Sequence, residues 1–385
     1  MKNKLKIVVL MDTSRAYDRD LLMGITNFNK LHDKFTFFFL SPKYIGKSNL
    51  HQMQKRIIQW EPDGILTREL EGFKNLIRLN VPVILFPHTK LYKDFINVWG
   101  DHLAIGEMAA NYLTSKGFKN FAFLGFKDFK WSLERQRGYE TTLAKSGCTV
   151  NSYIYNNSVE LWEQLPEKLV EWLDTLPKPC AIFSVTDELN IHLLEAAKNL
   201  QAKVPDDFSL LGVDNDVMLC EMASPTLSSI DQNGRQAGFL SAQTLCQWIE
   251  SGEKPSSDIM VNQNTIITRN STALAVEDEQ VRTALYYIVN TATTNDISVD
   301  AVVRATTLSR RILEKRFRES INSTILEEIK KVRINRIKFL LTNSNLTLRQ
   351  IAYELNFTSF ENITRYFKQY TGMLPLEYRS RYKES

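Results

Sequence analysis

Apolar runs rich in Val, Ile and Phe recur through the first 230 residues, and amphipathic stretches separate most of them. The runs are Ile7–Met11, Phe35–Leu40, Gly64–Leu66, Val83–Phe86, Phe121–Leu124, Tyr153–Tyr155, Ala181–Val185 and Leu210–Val213. Between them, Arg19–Leu31, Leu50–Trp60, Ile105–Lys116, Glu134–Ser146, Trp162–Leu176 and Glu188–Leu200 place apolar residues at helical spacing. This alternation predicts parallel sheets with helices on both faces, and strands without a polar alternate suit burial on both sides. The segments fall into two similar halves that divide near Gly117, and a further amphipathic stretch, Gly234–Glu250, follows the second half. The expected fold is a two-lobed α/β body of doubly wound parallel sheets over residues 1–272. One lobe is expected at about 1–117 with 233–250, the other at about 118–231 with 258–272. A polar linker is expected over 273–281 and an all-α domain over 282–385.

In that last region the spacing turns helical throughout. Ser298 is placed to cap a short helix, Thr306 and Thr307 read as a turn, and a basic helix starts at Leu308. Its stripe is Leu308, Ile312, Leu313 and Phe317, with Arg310, Arg311, Glu314, Lys315 and Arg318 elsewhere on the surface. The layout then recurs: a helix from Thr347, a turn at Asn356–Thr358, and a second helix from Ser359 to Lys368. A long Ile- and Leu-rich helix, about Ile325 to Leu341, joins the units. A short helix, a turn and a basic helix with one buried stripe make a helix-turn-helix, and two in tandem suit successive major grooves about 34 Å apart.

Charge strengthens that picture. The chain has 48 Lys+Arg and 44 Asp+Glu, a net charge of +4, but residues 281–385 hold 18 basic and 10 acidic side chains. An acidic body therefore carries a basic C-terminal quarter, which points to nucleic acid as a partner. The four cysteines, at 148, 180, 220 and 246, have no metal or redox spacing. No apolar run approaches a membrane span, and the short run after the basic N-terminus reads as a strand rather than a secretory core. A cytoplasmic protein without membrane contact, cofactor or metal is expected. No Walker loop, GxSxG, helix-opening GxGxxG or HExxH occurs, so an enzyme is not expected.

Several strand ends carry polar groups: Asp12, Asp101, Thr186-Asp187, Asp214-Asn215 and Asp231-Gln232. Such residues also cap helices and turns. Several in one doubly wound architecture suggest hydroxyl recognition beyond the carboxyl ends of the strands, where such folds bind ligands.

Residues 299–379 resemble the AraC-type DNA-binding domain. The matching residues are Leu308-Ser309, Leu313, Phe317, Arg333, Leu340-Leu341, Ile351-Ala352, Leu355, Phe357, Ser359, Arg365-Tyr-Phe-Lys368, Gly372, Pro375 and Tyr378-Arg379. The family usually has Gly where this chain has Asn356, and Asn also tolerates the left-handed backbone. The first 270 residues resemble the LacI-type, periplasmic-binding-protein-like sensor fold. Here the first strand starts near residue 5, and DNA binding is expected at the other end. Arg15-Ala-Tyr17-Asp-Arg, Trp131, Glu134-Arg135, Val185-Thr-Asp187 and Gly212-Val-Asp214-Asn215 match the xylose-regulator type of the AraC family.

That resemblance implies a sugar effector bound by Asp12, Tyr17, Asp101, Trp131, Arg135, Asp187, Asp214 and Gln232. Arg135 and Asp214 would bond hydroxyls, and Trp131 would offer a stacking face. On double-stranded DNA, Arg310, Arg311 and Glu314 are expected to read bases from the first unit, and Glu361, Asn362, Thr364 and Arg365 from the second. Ser309 and Ser359 open these helices, and Lys315 and Lys368 are expected on phosphates. A homodimer, and contact with RNA polymerase, complete the expected partners of an activator of sugar-catabolism genes. Repression, or a different sugar, is the alternative.

Overall fold

Each unbroken apolar run becomes a strand. In chain order the strands are β1 (Leu5–Leu10), β2 (Phe35–Leu40), β3 (Gly64–Arg68), β4 (Val83–Phe86), β5 (Ile96–Gly100) and β6 (Asn120–Phe126). They continue as β7 (Val150–Tyr155), β8 (Cys180–Ser184), β9 (Phe208–Val213), β10 (Ser228–Asp231), β11 (Ile259–Val261) and β12 (Thr265–Ile267). They form two sheets of matching order, β11-β5-β4-β3-β1-β2 and β12-β10-β9-β8-β6-β7. Neighbours are parallel except β12, which runs antiparallel to β10.

The structure is a computed structural model that describes residues 4–40, 50–156, 164–262, 264–272, 278–292, 296–343 and 346–382. The chain divides into two units, Met1–Thr272 and Ala273–Ser385. The expected helix start at Trp162 and residues 273–277 of the expected linker lie outside the described residues.

Helices α1 (Ala16–His32), α2 (Leu50–Trp60), α3 (His102–Ser115), α4 (Lys130–Lys145), α5 (Leu165–Asp174), α6 (Asp187–Asn199), α7 (Val217–Met222) and α8 (Gly234–Ser251) complete the first unit. Two helix pairs meet backbone to backbone. A Cβ on Gly106 of α3 would lie 2.1 Å from Arg135 O, and one on Gly138 of α4 would lie 2.1 Å from Leu103 O. Gly24 of α1 and Gly238 of α8 do the same for the other pair, at 2.0 Å from Arg235 O and Leu21 O.

Two lobe assignments need correction. Residues 259–261 were expected in the second lobe, but β11 pairs with β5 and closes the first sheet. Helix α3 was expected in the first lobe, but Ile105, Ala109, Ala110 and Leu113 share a core with Phe121–Leu124 of the second. The chain leaves the first sheet immediately after β5, because the apolar stripe of α3 buries against α4 and β6. It returns to the first lobe through α8 and β11, then ends on β12 of the second.

The second unit is helical: α9 (Glu279–Ala292), α10 (Val299–Arg304), α11 (Arg310–Ile321), α12 (Ile325–Asn343), α13 (Leu348–Glu354), α14 (Phe360–Thr371) and α15 (Pro375–Tyr382). Helix α9 occupies part of the expected linker, and its Val281, Ala284, Leu285 and Ile288 build the first small core with Val302, Leu313 and Phe317. The second core joins Ile334, Ile337 and Leu341 of α12 to Ile351, Leu355, Ile363 and Phe367. Helix α12 therefore serves both cores. Ile312, expected on the buried stripe, is instead 46% exposed, because Leu313 and Phe317 alone fix the inward face of α11. Asn356 adopts φ 53°, the left-handed turn expected of it.

Candidate functional sites

The carboxyl ends of both sheets converge on one narrow cleft of about 50 Å³. The first lobe contributes Arg15 and Tyr17 after β1, Arg68 at the end of β3, His88 after β4, and Trp99, Gly100 and His102 around the end of β5. The second contributes Trp131 and Arg135 on α4, Thr186 after β8, Asp214 after β9 and Gln232 after β10. Ligand pockets run to about 300–1,000 Å³, so a sugar requires the lobes to part before it enters.

Arg135 is 2% exposed and organises the second-lobe wall. Its Nη1 donates to Val185 O at 2.5 Å, and its Nη2 donates to Gln232 Oε1 at 2.6 Å and lies 3.3 Å from His102 Nδ1. Its Nε has no hydrogen-bond partner. Burial lowers the Arg135 pKa to about 10, opposed by Asp214, which leaves it charged at neutral pH. Gln232 passes the network on, since its Nε2 donates to Asp214 Oδ1. Burial raises the Asp214 carboxyl above the usual range while Arg135 and Arg15 hold it down. Asp214 and Asn215 have φ of 102° and 48°, a strained turn for non-glycine residues at the end of β9.

On the facing wall, Arg68 Nε lies 2.9 Å from Asp18 Oδ1, a pair with side chains 8% and 3% exposed. The Arg68 guanidinium sits 5.7 Å from the Tyr17 ring. Burial raises the Tyr17 phenol to about 12. Burial, then the charges of Arg68 and Arg15, depress His88 to about 2. Burial and Arg135 hold His102 well below the usual imidazole range. Both imidazoles are neutral at pH 7 and serve as hydrogen-bonding groups. Arg19 of α1 bridges the lobes, 2.8 Å from Asp216 Oδ2.

Of the eight residues expected on an effector, Tyr17, Trp131, Arg135, Asp214 and Gln232 come together here. Three do not. Asp101 caps α3, accepting from Ala104 N at 2.9 Å. Asp12 accepts from Ser14 N at 3.0 Å within the turn after β1. Asp187 is buried behind the cleft wall, where its Oδ2 accepts from Asp216 N at 2.8 Å. Burial and Asp214 raise Asp187 to about 8, so it is largely protonated at neutral pH. Gly212 makes room for it, since a Cβ there would lie 2.2 Å from Asp187 Oδ1. Trp131 lines the space, but it stacks on Phe129 at 5.4 Å and has the Arg135 guanidinium 4.8 Å from its ring. Both neighbours hold the Trp131 ring in place where it lines the cleft. Arg15, Arg68, His88, Trp99, His102 and Thr186 line the cleft without having been expected on the effector, although Thr186 was noted at its strand end and Arg15 in the matching stretch before Tyr17. All but Arg15 share one signal, a place within two residues of a strand's carboxyl end.

In the second unit the two basic helices repeat at an interval of fifty residues. Leu313 and Phe317 point inward as Ile363 and Phe367 do, and Arg311, Lys315 and Arg318 are exposed as Glu361, Arg365 and Lys368 are. Ser309 and Ser359 occupy the N-caps, and Asn322 and Gly372 end the helices with φ of 51° and 76°. Arg310 pairs with Asp300 at 3.2 Å and Glu314 at 2.9 Å on the protein's own surface. Asn362 donates to Thr358 Oγ1 at 2.5 Å, and Thr364 donates to Phe360 O, so base reading by either would exchange these bonds. Among the described residues, no group of His, Cys, Asp and Glu could hold a metal, and no helix is long and apolar enough to cross a membrane.

Residues 110–272 match the family model of a periplasmic binding protein-like domain, and residues 302–381 match that of a helix-turn-helix domain. The chain is 27% identical to the xylose operon regulatory protein of Escherichia coli K12, over 97% of this chain and 96% of that one. It is equally similar to the protein of that name from Haemophilus influenzae, over 97% and 98%. A solved structure described as the xylose-binding transcription activator xylR superposes with a TM-score of 0.62 at 26% identity, covering 100% of both chains.

Proposed function

For this chain, a sugar-responsive DNA-binding transcription regulator of the AraC type with a periplasmic-binding-protein-like sensor, we propose that a monosaccharide in the interlobe cleft controls transcription of sugar-catabolism genes. It is a regulator rather than an enzyme, as its relatives are. The observation that carries the cleft assignment is the Arg135–Gln232–Asp214 network at the chain crossing between lobes. A sugar presents paired hydroxyls that both donate and accept. A guanidinium supplies donors, a carboxylate supplies acceptors, and the Gln232 amide holds the two in register. The relatives' names make xylose and other pentoses the first candidates, and activation the first candidate mode.

Base reading falls to the outward face of α11 and α14. Arg310, Arg311 and Glu314 act in the first unit, and Glu361, Asn362, Thr364 and Arg365 in the second. Lys315 and Lys368 take phosphates, and Ser309 and Ser359 set the helix starts. We also place the protein in the cytoplasm as a homodimer, in contact with RNA polymerase when bound at a promoter. The test is a fluorescence-anisotropy titration of a promoter fragment with the full chain, with and without each of a panel of monosaccharides, neutral pentoses and sugar acids alike. A change in DNA affinity with sugar, lost in Asp214→Asn, supports the reading; sugar-independent DNA binding refutes it.

A further inference from the structure

The charges on the cleft wall are unbalanced. Arg15, Arg68 and Arg135 all line it, and Asp214 is its one carboxylate among the described residues. Asp18, behind the wall, is paired with Arg68. Gln232 already donates to Asp214, and Arg135 is bonded to Val185 O and Gln232. Asp187, the next carboxyl, is turned away towards Asp216 N. Both imidazoles, His88 and His102, bring no negative charge.

Arg15 stands apart. It is half-buried at the mouth of the turn after β1, and its guanidinium makes no hydrogen bond or ion pair among the described residues. Arg135 Nε, in a side chain 2% exposed, is likewise without a partner. A neutral aldose offers hydroxyls, each accepting weakly and each needing an acceptor in return. This wall sets three guanidiniums against one carboxylate, and it holds one cation more than Asp18 and Asp214 together can offset. A guanidinium without a partner, on a wall with surplus positive charge, is best matched by an anion, because charge-assisted bonds to an oxyanion are the strong ones and guanidinium geometry fits a carboxylate fork.

We infer that the effector is an anionic monosaccharide, a sugar carrying a carboxylate such as an aldonic or uronic acid, with its anion held by Arg15 and Arg68 and its hydroxyls by Arg135 and Asp214. This rests on the cleft being the effector site, and it narrows the class of sugar bound there. A sugar phosphate shares the same chemistry and is separated by experiment.

The experiment is isothermal titration of the full chain with xylose and ribose, with xylonate and galacturonate, and with a pentose phosphate. The acids are expected to bind at least about tenfold more tightly than the aldoses, the gain of one charge-assisted bond. Arg15→Gln removes a side chain without a hydrogen bond or ion pair among the described residues, and the unliganded thermal midpoint, measured beside it, reads separately what its charge contributes to the buried Asp214 and Asp18. That variant is expected to weaken the acid by about ten- to a hundredfold while the aldose is unaffected. Tighter binding of the phosphate than of either acid keeps the anionic class and changes its source. Aldoses binding as tightly as the acids, an acid-to-aldose ratio unmoved by Arg15→Gln, or no binding by any anion overturns the inference. If aldose binding is tight and Asp214→Asn abolishes it, the cleft assignment stands and the anion falls alone. If an acid binds and ignores both variants, the cleft assignment falls too.

Discussion

Gly138→Ala should destabilise the sensor unit although it replaces glycine with a better helix former. In a helix interior that exchange alone favours folding by about 1 kcal/mol. Here the new Cβ would sit 2.1 Å from Leu103 O and 3.2 Å from Glu107 N, backbone atoms that no rotamer change can clear. Carbon–oxygen contacts begin at about 3.3 Å, so α3 and α4 must part by roughly 1 Å. Overpacking of this kind costs about 1–3 kcal/mol and often more against backbone, which exceeds the propensity gain. The separation also reaches the cleft, because the reciprocal glycine, Gly106, lies against Arg135 O. A shift of that size breaks the 2.6 Å bond from Arg135 to Gln232, and loss of one charged hydrogen bond weakens effector binding by about tenfold or more. All six tryptophans precede residue 273, so urea unfolding followed by tryptophan fluorescence reports the sensor alone. A midpoint at or above that of the parent would refute the packing argument, since it is what helix propensity without a clash predicts.

Acidification should act through His88. Its folded pKa is depressed to about 2, so between there and pH 6.5 the unfolded chain binds the proton first, and stability falls as pH drops. The slope is about 1.4 kcal/mol per pH unit for one proton, and His88→Asn should reduce the pH dependence of the urea midpoint over pH 4.5–6.5. Asp187 works in the opposite sense: its pKa is raised to about 8, so its protonated form stabilises the fold at low pH and that contribution fades as pH rises from 4 to 8. Asp187→Asn should therefore make the sensor's stability less sensitive to alkali, measured by the same midpoints. Arg68→Met should cost about 3–5 kcal/mol by leaving Asp18 buried and unpaired, and Arg68→Met with Asp18→Leu should recover most of it in the same unfolding assay. Asn356→Val places a β-branched residue at φ 53° and should cost about 1–2 kcal/mol of the DNA-binding unit's stability, read by helical circular dichroism on melting.

The strands were legible because a parallel sheet buries both faces and leaves an unbroken apolar run, as at Val83–Phe86. Lobe membership was not, because it depends on which sheet a run joins. The three-residue β11 and the stripe of α3 look the same whichever side they join. The cleft was half legible for a related reason. A residue at a strand's carboxyl end faces the ligand space, caps the next helix or turns beneath the wall according to a single peptide's orientation. Asp214, Asp101 and Asp187 take these three fates in turn. Arg68 lay just past the apolar run Gly64–Leu66, and Arg15 stood in the matching stretch from which Tyr17 alone was expected on the effector. In the DNA-binding unit, pattern found both basic helices, but a stripe of i, i+4 and i+5 positions left Ile312 on the wrong side. Only the packing of Leu313 and Phe317 against α9 settles which edge of α11 faces out.

The two halves of the sensor share one strand order, and the chain passes between them at three places: after β5, after β10 and between β11 and β12. The first two crossings are also the floor of the cleft. Trp99, Gly100 and His102 lie at one, and Gln232 at the other. The side chain that links them is Arg135, bonded to Gln232 and 3.3 Å from His102. Any change in the angle between the lobes must rotate backbone at these crossings, and so must lengthen or shorten bonds to Arg135. Any ligand that competes for Arg135 or Asp214 must in turn change the balance of bonds at the crossings. Effector recognition and lobe motion therefore draw on the same hydrogen bonds, and a ligand with differential affinity for the parted and closed arrangements shifts their populations without a separate relay. The bridge from Arg19 to Asp216 across the cleft favours the closed arrangement in the absence of ligand. An effector must accordingly supply more interlobe bonding than this half-buried ion pair. A ligand that engages Arg15 and Arg68 on one wall and Arg135 and Asp214 on the other meets that requirement, because it binds both walls at once.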